Sequence, residues 1–183
     1  LGLALGASEV TMLELTAAYA SFANGGYGVW PYAIKEIRDG QGRVIYKREG
    51  GGPGRIETPQ KIAAMNQMLT AVIERGTGKN AKINRPAAGK SGTTQNYRDA
   101  WFIGYTAERV AAVWVGNDDG SSMNKVTGGG LPARMWKNLM VSAHNGRTVK
   151  SLPAAGTLPK IEKFEPSKNK GTWQIIKNIF GGD

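Results

Sequence analysis

The sequence predicts an α+β fold in which an antiparallel sheet is flanked by helices. Apolar residues recur at helical spacing near residues 8–23, 58–75 and 131–143, whereas residues 87–116 alternate with a period of two and are rich in β-branched and aromatic side chains. The turn near residues 107–108 is too short for a crossover between parallel strands, so neighbouring strands in this region are expected to be antiparallel. Helices that precede and follow a run of strands are typical of the α+β class.

Three segments carry the start and stop signals of helices. The first is predicted over residues 8–23, with Ser8 as its cap and Asn24-Gly25-Gly26 as its stop. Thr58 and Pro59 open the second, which ends before Gly76. Leu131-Pro132 opens the third, which extends to about Ala143. Its expected buried stripe consists of Met135, Trp136, Leu139 and Met140.

Two hairpins and one further strand are predicted between these helices. Residues 32–38 and 43–49 flank Asp39-Gly40-Gln41-Gly42, a hairpin signal. Residues 87–94 read as a strand of small residues, followed by a second hairpin at 100–106 and 109–116 and by a loop at 117–130. The aromatic residues of this second hairpin are expected to belong to the core: Trp101, Phe102, Tyr105 and Trp114.

Composition excludes several classes of protein. The chain has 183 residues, of which 40% are hydrophobic, so it is not disordered throughout. It has no cysteine and a single histidine, His144, which excludes disulfides, thiolate or histidine zinc sites and a Ser-His-Asp triad within the chain. No run approaches the roughly 18 apolar residues of a membrane-spanning helix. We expect no cofactor and no metal, since Asp118-Asp119 is typical of a turn and His144 of a cation at a helix end.

The two ends of the chain differ from its middle. Leu1–Gly6 has neither an initiator methionine nor a basic region, which predicts that the chain is the interior of a longer polypeptide. Residues 147–183 are rich in lysine and proline and are expected to form a mostly irregular tail with one amphipathic stretch, Trp173–Phe180. The tail contributes to the net charge of +10, which fits either an anionic partner or a solvated basic surface.

The densest polar cluster is Gly89-Lys90-Ser91-Gly92-Thr93-Thr94, and three interpretations compete for it. A phosphate-binding loop needs a glycine at the position of Asn84 and a loop-to-helix setting that residues 87–94 do not offer. A polar edge strand would need no function at all. The Lys-Ser/Thr-Gly motif of penicillin-recognising serine enzymes fits a strand, where Ser91 and Thr93 share one face, Lys90 and Gly92 share the other, and Gly92 lets a ligand backbone approach.

Several further segments match one family in order and spacing. They are Leu3–Leu15 with Tyr19–Gly26, Gly89–Thr94, Asp99–Tyr105, Val113–Gly116 and Val126–Ala133 with Trp136. Together they resemble the C-terminal half of the transpeptidase domain of class A (bifunctional) penicillin-binding proteins, over about residues 1–145. The resemblance divides the chain into that partial domain at residues 1–146 and the tail at 147–183.

The resemblance implies a fold and a reaction. In the family, a five-stranded antiparallel sheet lies between helical layers, and a serine of a Ser-x-x-Lys motif attacks the penultimate D-Ala carbonyl of a peptidoglycan stem peptide. Lys90 would then shape the field around that serine, and the Thr93 N–H would be one of two oxyanion donors. Substrate binding would fall to Ser91, Gly92, Thr93 and Thr94, with Lys90–Thr93 along the largest groove.

The nucleophile itself is expected upstream of Leu1. Ser122-Met-Asn-Lys125 and Ser167-Lys-Asn-Lys170 match its pattern, but the first lies in a loop and the second in the basic tail, whereas the motif must open a buried helix. We therefore expect neither serine to be catalytic. Alone, this chain is expected to be catalytically incomplete and to need the upstream half of the same protein.

The resemblance also implies partners and a location. Stem peptides and beta-lactams would bind, the parent protein would also carry a glycosyltransferase, and an anchor in the parent would hold it at the periplasmic face of the cytoplasmic membrane. An alternative is a penicillin-recognising sensor or structural module without turnover. Nucleic-acid binding is disfavoured, because the aromatic residues cluster in one hairpin and do not interleave with lysine and arginine.

Overall fold

The computed structural model describes residues 9–153 of the chain. Within that part the chain forms three α-helices and five strands, besides two short 3-10 turns. In chain order they are α1 (Met12–Ala23), β1 (Glu36–Arg38), β2 (Val44–Lys47), α2 (Pro59–Glu74), β3 (Ala88–Thr93), β4 (Asp99–Tyr105), β5 (Val110–Gly116) and α3 (Leu131–Ala143). β1 and β2 form a hairpin of their own, and β3, β4 and β5 form an antiparallel sheet in that order. The α+β prediction, with an antiparallel sheet flanked by helices, is confirmed.

α1 and α3 cover opposite faces of the three-stranded sheet. Phe102 on β4 packs against Trp136 of α3, with ring centroids 5.4 Å apart. Tyr105, three residues further along β4, belongs to a cluster that includes Ala23 of α1. Residues three apart on a strand point to opposite faces. β4 is therefore a buried central strand, whereas β3 is an edge strand whose second edge pairs with no other strand of the described residues.

α1 begins later than predicted. The expected cap, Ser8, lies outside the described residues, and Thr11 is the residue that caps the helix. The N–H of Glu14 donates to Thr11 Oγ1 over 3.2 Å, and the Thr11 N–H donates to the Glu14 carboxylate over 3.1 Å. This reciprocal capping box lowers the pKa of Glu14, chiefly through its hydrogen bonds with Thr11. Asn24 ends the helix as predicted.

α2 follows its sequence signals closely. Thr58 caps it and Pro59 is its first residue, where a missing N–H costs nothing. Ile62 and Leu69 are buried, and Gly76 follows the end of the helix as predicted. Gly76 opens a short turn, Gly76-Thr77-Gly78, that brings Thr77 next to Ser91 of β3.

α3 has the predicted bounds but buries only part of the predicted stripe. Met135 and Leu139, expected in the core, are 46% and 51% exposed. The buried residues of the helix are Pro132, Ala133, Trp136 and Met140. Successive residues of a helix point about 100° apart around its axis. Trp136 and Met140 face the sheet, so the residues just before them, Met135 and Leu139, turn toward solvent.

Trp136 joins α3 to the sheet. Its Nε1 donates to the carbonyl oxygens of Gly104 and Ala111, over 3.2 and 3.1 Å. A side chain at position 104 would lie 2.8 Å from the indole ring, so glycine is needed there for the ring to reach these carbonyl groups. Since β4 and β5 contribute one carbonyl each, the indole fixes α3 across the hairpin.

The aromatic residues of the hairpin divide into two groups. Phe102 and Tyr105 are fully buried, which confirms their core placement, whereas Trp101 and Trp114 are half-buried with ring centroids 6.4 Å apart. The Tyr105 hydroxyl donates to Asn66 Oδ1 over 2.6 Å. Burial raises the pKa of Tyr105 well above its usual value.

Residues 147–153 contain no helix or strand. Leu152 is nevertheless buried in the cluster that includes Ala23, and Asn66 Nδ2 donates to the carbonyl oxygen of Pro153 over 3.0 Å. The stretch Trp173–Phe180 lies outside the described residues, and the boundary after residue 146 stays a prediction. Among residues 9–153, no helix has the length and apolar content needed to cross a membrane.

Candidate functional site

The polar cluster at residues 89–94 lies on β3 and the turn that follows it. Ala88–Thr93 is a strand, and a 3-10 turn at Gln95–Tyr97 leads from it into β4. A phosphate-binding loop would wrap its backbone around an anion and enter a helix directly. The extended backbone here agrees with the strand setting that the Lys-Ser/Thr-Gly interpretation requires.

The side chains of β3 alternate as predicted. Ser91 pairs with Phe102, whose side chain faces α3, so the Ser91 and Thr93 side chains lie on that face of the sheet. Lys90 and Gly92 therefore belong to the face on which α1 packs. Gly92 is opposite Trp101, and Lys90 is exposed.

The backbone of β3 points alternate N–H groups toward its open edge. The Thr94 N–H donates to the Asp99 carbonyl over 3.0 Å. Hydrogen-bonded and non-hydrogen-bonded pairs alternate along an antiparallel ladder. The N–H and carbonyl groups of Gly92, two residues before Thr94, therefore also point toward β4. Between them, Thr93 directs its N–H away from β4. An N–H at a free strand edge is available to a ligand, as an oxyanion donor must be.

Two hydrogen bonds hold the hydroxyl groups of Ser91 and Thr93 from the α3 side. Thr77 Oγ1 lies 2.5 Å from Ser91 Oγ, and the Gly128 N–H donates to Thr93 Oγ1 over 3.0 Å. A hydroxyl has one proton and two lone pairs, so Thr93, which accepts from Gly128, keeps its proton to donate elsewhere. This arrangement can bind a carboxylate beside the Thr93 N–H.

The residues that support β3 were not found from the sequence. Gly128 leaves no room for a side chain, because a Cβ there would collide with the carbonyl oxygens of Gly92 and Trp101. Asn80 Nδ2 donates to the Gly129 carbonyl over 2.7 Å and so ties the same loop to the turn after α2. The only local signals were two glycine-rich segments, Gly76-Thr77-Gly78 and Gly128–Gly130, which indicate close backbone approaches but not their partners.

Lys90 and Thr94 have partners within the protein. Lys90 Nζ donates to the Ser91 carbonyl over 2.7 Å. Thr94 Oγ1 accepts from the Asp99 N–H over 2.8 Å and lies 3.1 Å from Asp99 Oδ2, while Trp114 Nε1 donates to Asp99 Oδ1 over 2.9 Å. Thr94 thus closes the turn between β3 and β4, and its role in substrate binding stays a prediction.

The turn itself has an unusual backbone. Asn96 and Tyr97 both adopt left-handed conformations, with φ of 58° and 54°, which bulky residues rarely do. The Met123 N–H donates to the Tyr97 carbonyl over 3.0 Å and so fastens the following loop to this turn. Nothing in the sequence signalled this conformation at Tyr97.

Ser122 and Asp119, which the sequence analysis set aside as a nucleophile and as a metal ligand, both lie between β5 and α3. Ser122 lies in the loop between β5 and α3 and opens no helix, and Ser167 lies outside the described residues. Asp119 accepts a hydrogen bond from the Ser121 N–H over 2.9 Å, as in a turn. Hydrogen bonding to the Ser121 side chain, and secondly to its N–H, holds the pKa of the Asp119 carboxyl below the usual value. The described residues contain no cluster of acidic residues and histidine suited to a metal ion.

His144 follows the end of α3 as predicted, and its side chain is buried there, with 3% exposed. Nδ1 lies 2.8 Å from the Met140 carbonyl and Nε2 lies 2.9 Å from Thr106 Oγ1. The ring therefore links the end of α3 to the turn between β4 and β5, a packing role that the sequence context did not indicate.

Two surface cavities lie away from β3. One of about 370 Å³ is mostly apolar and lies between α1 and the segments 28–31 and 53–56. The other, of about 510 Å³, is formed by residues 116–121. Neither is lined by Lys90–Thr93, so the expected groove along this strand is not confirmed within the described residues.

Comparison with known proteins gives one family. The sequence matches the family model of the penicillin-binding protein transpeptidase domain over residues 1–141. Penicillin-binding protein 1A of Aquifex aeolicus is 39% identical over 140 residues, which cover 75% of this chain and 19% of that protein. Penicillin-binding protein 1A of Neisseria lactamica is 35% identical over 159 residues, or 83% of this chain and 20% of that protein. The chain thus spans about a fifth of the length of the curated relatives it matches.

Solved structures agree with this result. Penicillin-binding protein PonA1 from Mycobacterium tuberculosis superimposes with a TM-score of 0.71 at 27% identity, covering 91% of this chain and 48% of that chain. The imipenem acyl-enzyme complex of penicillin-binding protein A from the same organism gives 0.62 at 26% identity, covering 73% and 31%. The predicted partial transpeptidase fold is therefore confirmed.

Proposed function

The chain belongs to the penicillin-binding protein transpeptidase family, and we propose from this premise that it forms one wall of the acyl-transfer site of a peptidoglycan D,D-transpeptidase. One observation carries the proposal. On the edge strand β3, Thr93 directs its N–H to the open edge, while its hydroxyl accepts from Gly128 and keeps a proton to donate. Such a residue can bind a carboxylate and an oxyanion at neighbouring points of one substrate.

The reaction divides between this chain and a serine outside it. The serine oxygen of a Ser-x-x-Lys segment adds to the penultimate D-Ala carbonyl, the amide bond to the terminal D-Ala breaks, and the released amine takes the proton. An amine from a stem peptide on a neighbouring peptidoglycan strand then attacks the acyl-enzyme, forms the new amide bond and releases the serine. Beta-lactams acylate the same serine through their strained amide.

The residues of β3 stabilise this reaction at three points. The hydroxyl groups of Ser91 and Thr93 hold the terminal carboxylate of the substrate, while Gly92 lets its backbone lie along the strand. The Thr93 N–H donates to the developing oxyanion, a contribution of about 3 kcal/mol for one donor in comparable sites. Lys90 supplies positive charge near the nucleophile.

The parent protein extends well beyond this chain. Its relatives named penicillin-binding protein 1A are about five times longer than the part that matches. We infer that the parent also carries a peptidoglycan glycosyltransferase domain and a membrane anchor, and that this domain acts at the periplasmic face of the cytoplasmic membrane. Its partners are stem peptides, beta-lactams and the upstream half of the same transpeptidase domain.

A fluorescent penicillin tests the proposal. The longer protein that includes the upstream half is expected to become covalently labelled on a serine outside these 183 residues, and to release D-Ala from a stem peptide. The 183-residue chain alone is expected to stay unlabelled, because Ser122 lies in a loop. A stable label on the isolated chain, mapped to Ser122 or another internal serine, would contradict this division of roles. Labelling without D-Ala release would favour a non-catalytic sensor.

A further inference from the structure

A short turn after α2 brings a second hydroxyl to the predicted carboxylate site. Thr77 lies between Gly76 and Gly78, and its Oγ1 lies 2.5 Å from Ser91 Oγ. The two residues are fourteen positions apart in sequence, so the contact depends on how α2 packs against β3.

The backbone around Thr77 is held on both sides. The Gly78 N–H donates to the Val72 carbonyl over 2.9 Å, which fixes the turn to the end of α2. On the other side Gly129 packs so closely that a Cβ there would collide with the Thr77 carbonyl oxygen. Thr77 therefore presents its hydroxyl from a position with little freedom to move.

A fixed hydroxyl beside Ser91 decides where the Ser91 proton points. A free serine hydroxyl rotates among three staggered positions, and only one of them directs the proton toward a given acceptor. Either hydroxyl of this pair can be the donor. A substrate carboxylate only accepts hydrogen bonds, so its binding favours the arrangement in which Thr77 donates to Ser91 Oγ and the Ser91 proton is left to donate to the carboxylate. The Gly128 N–H does the same for Thr93. Two donor hydroxyls with their protons directed outward match the two oxygens of a carboxylate.

We propose that Thr77 is a positioning residue, whose hydroxyl orients Ser91 for recognition of the substrate carboxylate. Thr77 acts through Ser91 and does not itself contact the substrate. This role of Thr77 rests on the proposed transpeptidase function of the site. The specificity for ligands with a carboxylate thus originates partly in the turn after α2, outside the Lys-Ser/Thr-Gly motif.

The test compares variants of the longer protein that includes the upstream half. Acylation by a penicillin is followed by stopped flow, which separates the dissociation constant of the initial complex from the rate constant of acylation. Thr77→Val is expected to raise the dissociation constant about fivefold, the effect of one lost neutral hydrogen bond, with little change in the acylation rate constant. Thr77→Ser is expected to restore binding. Thr70→Val, the same change within α2 and seven residues earlier, is the matched control and is expected to have no effect.

A double-mutant cycle separates an indirect role from a direct one. In a Ser91→Ala background, Thr77→Val is expected to cause no further loss, because the hydroxyl that it orients is gone. A loss that persists in that background would overturn the proposal, as would Thr77→Val with unchanged binding. An effect on acylation alone would also overturn it. If Thr77→Val does not fold, as judged by thermal unfolding, Thr77→Ala gives the same comparison. Failure of the unmodified longer protein to be labelled would instead refute the transpeptidase function itself.

Discussion

Replacing Thr93 by valine in the longer protein separates the two groups that we propose Thr93 offers to a substrate, its hydroxyl and its backbone N–H. Valine has nearly the same shape and keeps the backbone N–H, but it lacks the hydroxyl. If that hydroxyl donates to the substrate carboxylate, the variant loses a hydrogen bond to a charged group, about 1.5–3 kcal/mol. This corresponds to roughly a 10- to 150-fold lower efficiency of acylation. The proposed oxyanion donor is the Thr93 N–H of the main chain, which valine keeps, so acylation is expected to fall without disappearing.

The structure adds a second cost that does not involve the substrate. Thr93 Oγ1 accepts the Gly128 N–H over 3.0 Å, and this donor is left without its partner in the variant. We expect a loss of about 1 kcal/mol in the free energy of unfolding, the usual net value of one neutral hydrogen bond. Thr93→Ser keeps the hydroxyl and is the control for both effects.

The assay measures acylation rates for two ligands, a penicillin and an analogue without the carboxylate. The analogue is expected to react slowly with the unmodified protein and to lose little more with Thr93→Val. Equal losses for both ligands would mean that the hydroxyl supports the fold or the oxyanion site and does not bind the carboxylate. No loss for either ligand would remove Thr93 from the site.

Two further predictions concern the packing around the site and the pH dependence of stability. Gly128→Ala is expected to lower both the melting temperature and the acylation rate, because the added Cβ collides with the backbone of β3 and β4. Gly40→Ala is the control, since Gly40 has open space around it and the change should affect neither quantity. Equal melting temperatures for the two variants would refute the close packing at Gly128. Tyr105→Phe removes a hydrogen bond to Asn66 and should cost about 1 kcal/mol in urea unfolding at neutral pH. Burial raises the pKa of Tyr105. The contribution of the un-ionised Tyr105 hydroxyl to the free energy of unfolding is therefore complete below about pH 10, the pKa of a tyrosine in the unfolded chain, and is lost as the pH rises through the raised pKa. The unmodified protein and Tyr105→Phe should then converge in stability at alkaline pH. A constant difference across that range would contradict the burial of an un-ionised hydroxyl.

Local signals predicted most of the fold. Thr58-Pro59 marked the start of α2, and Asp39–Gly42 marked the turn of the first hairpin, because these residue types favour particular backbone angles whatever surrounds them. The start of α1 was predicted too early although Thr11 and Glu14 form a capping box with a recognisable spacing. Strand alternation placed Ser91 and Thr93 on one face without knowledge of the partner strand.

What could not be predicted depends on contacts between distant segments. α3 has apolar residues over more of its circumference than the sheet can cover, so periodicity alone did not distinguish Met135 from Trp136. The approach of Thr77 to Ser91 and of Gly128 to Thr93 is set by the packing of a turn and a loop against β3. A glycine-rich sequence indicates that something comes close, but not which residue does.

One edge of β3 pairs with no other strand among residues 9–153, and this also affects how the isolated chain is expected to behave in solution. A strand edge with free N–H and carbonyl groups is a template for any other extended chain, including a second copy of itself. Charged side chains on an edge strand oppose such pairing, and Lys90 is an exposed charge on β3. In the absence of a ligand, Lys90 therefore has a role in solubility, since two β3 edges that align would bring two ammonium groups together. Neutralising it would make the chain more prone to aggregate as well as changing the chemistry of the site.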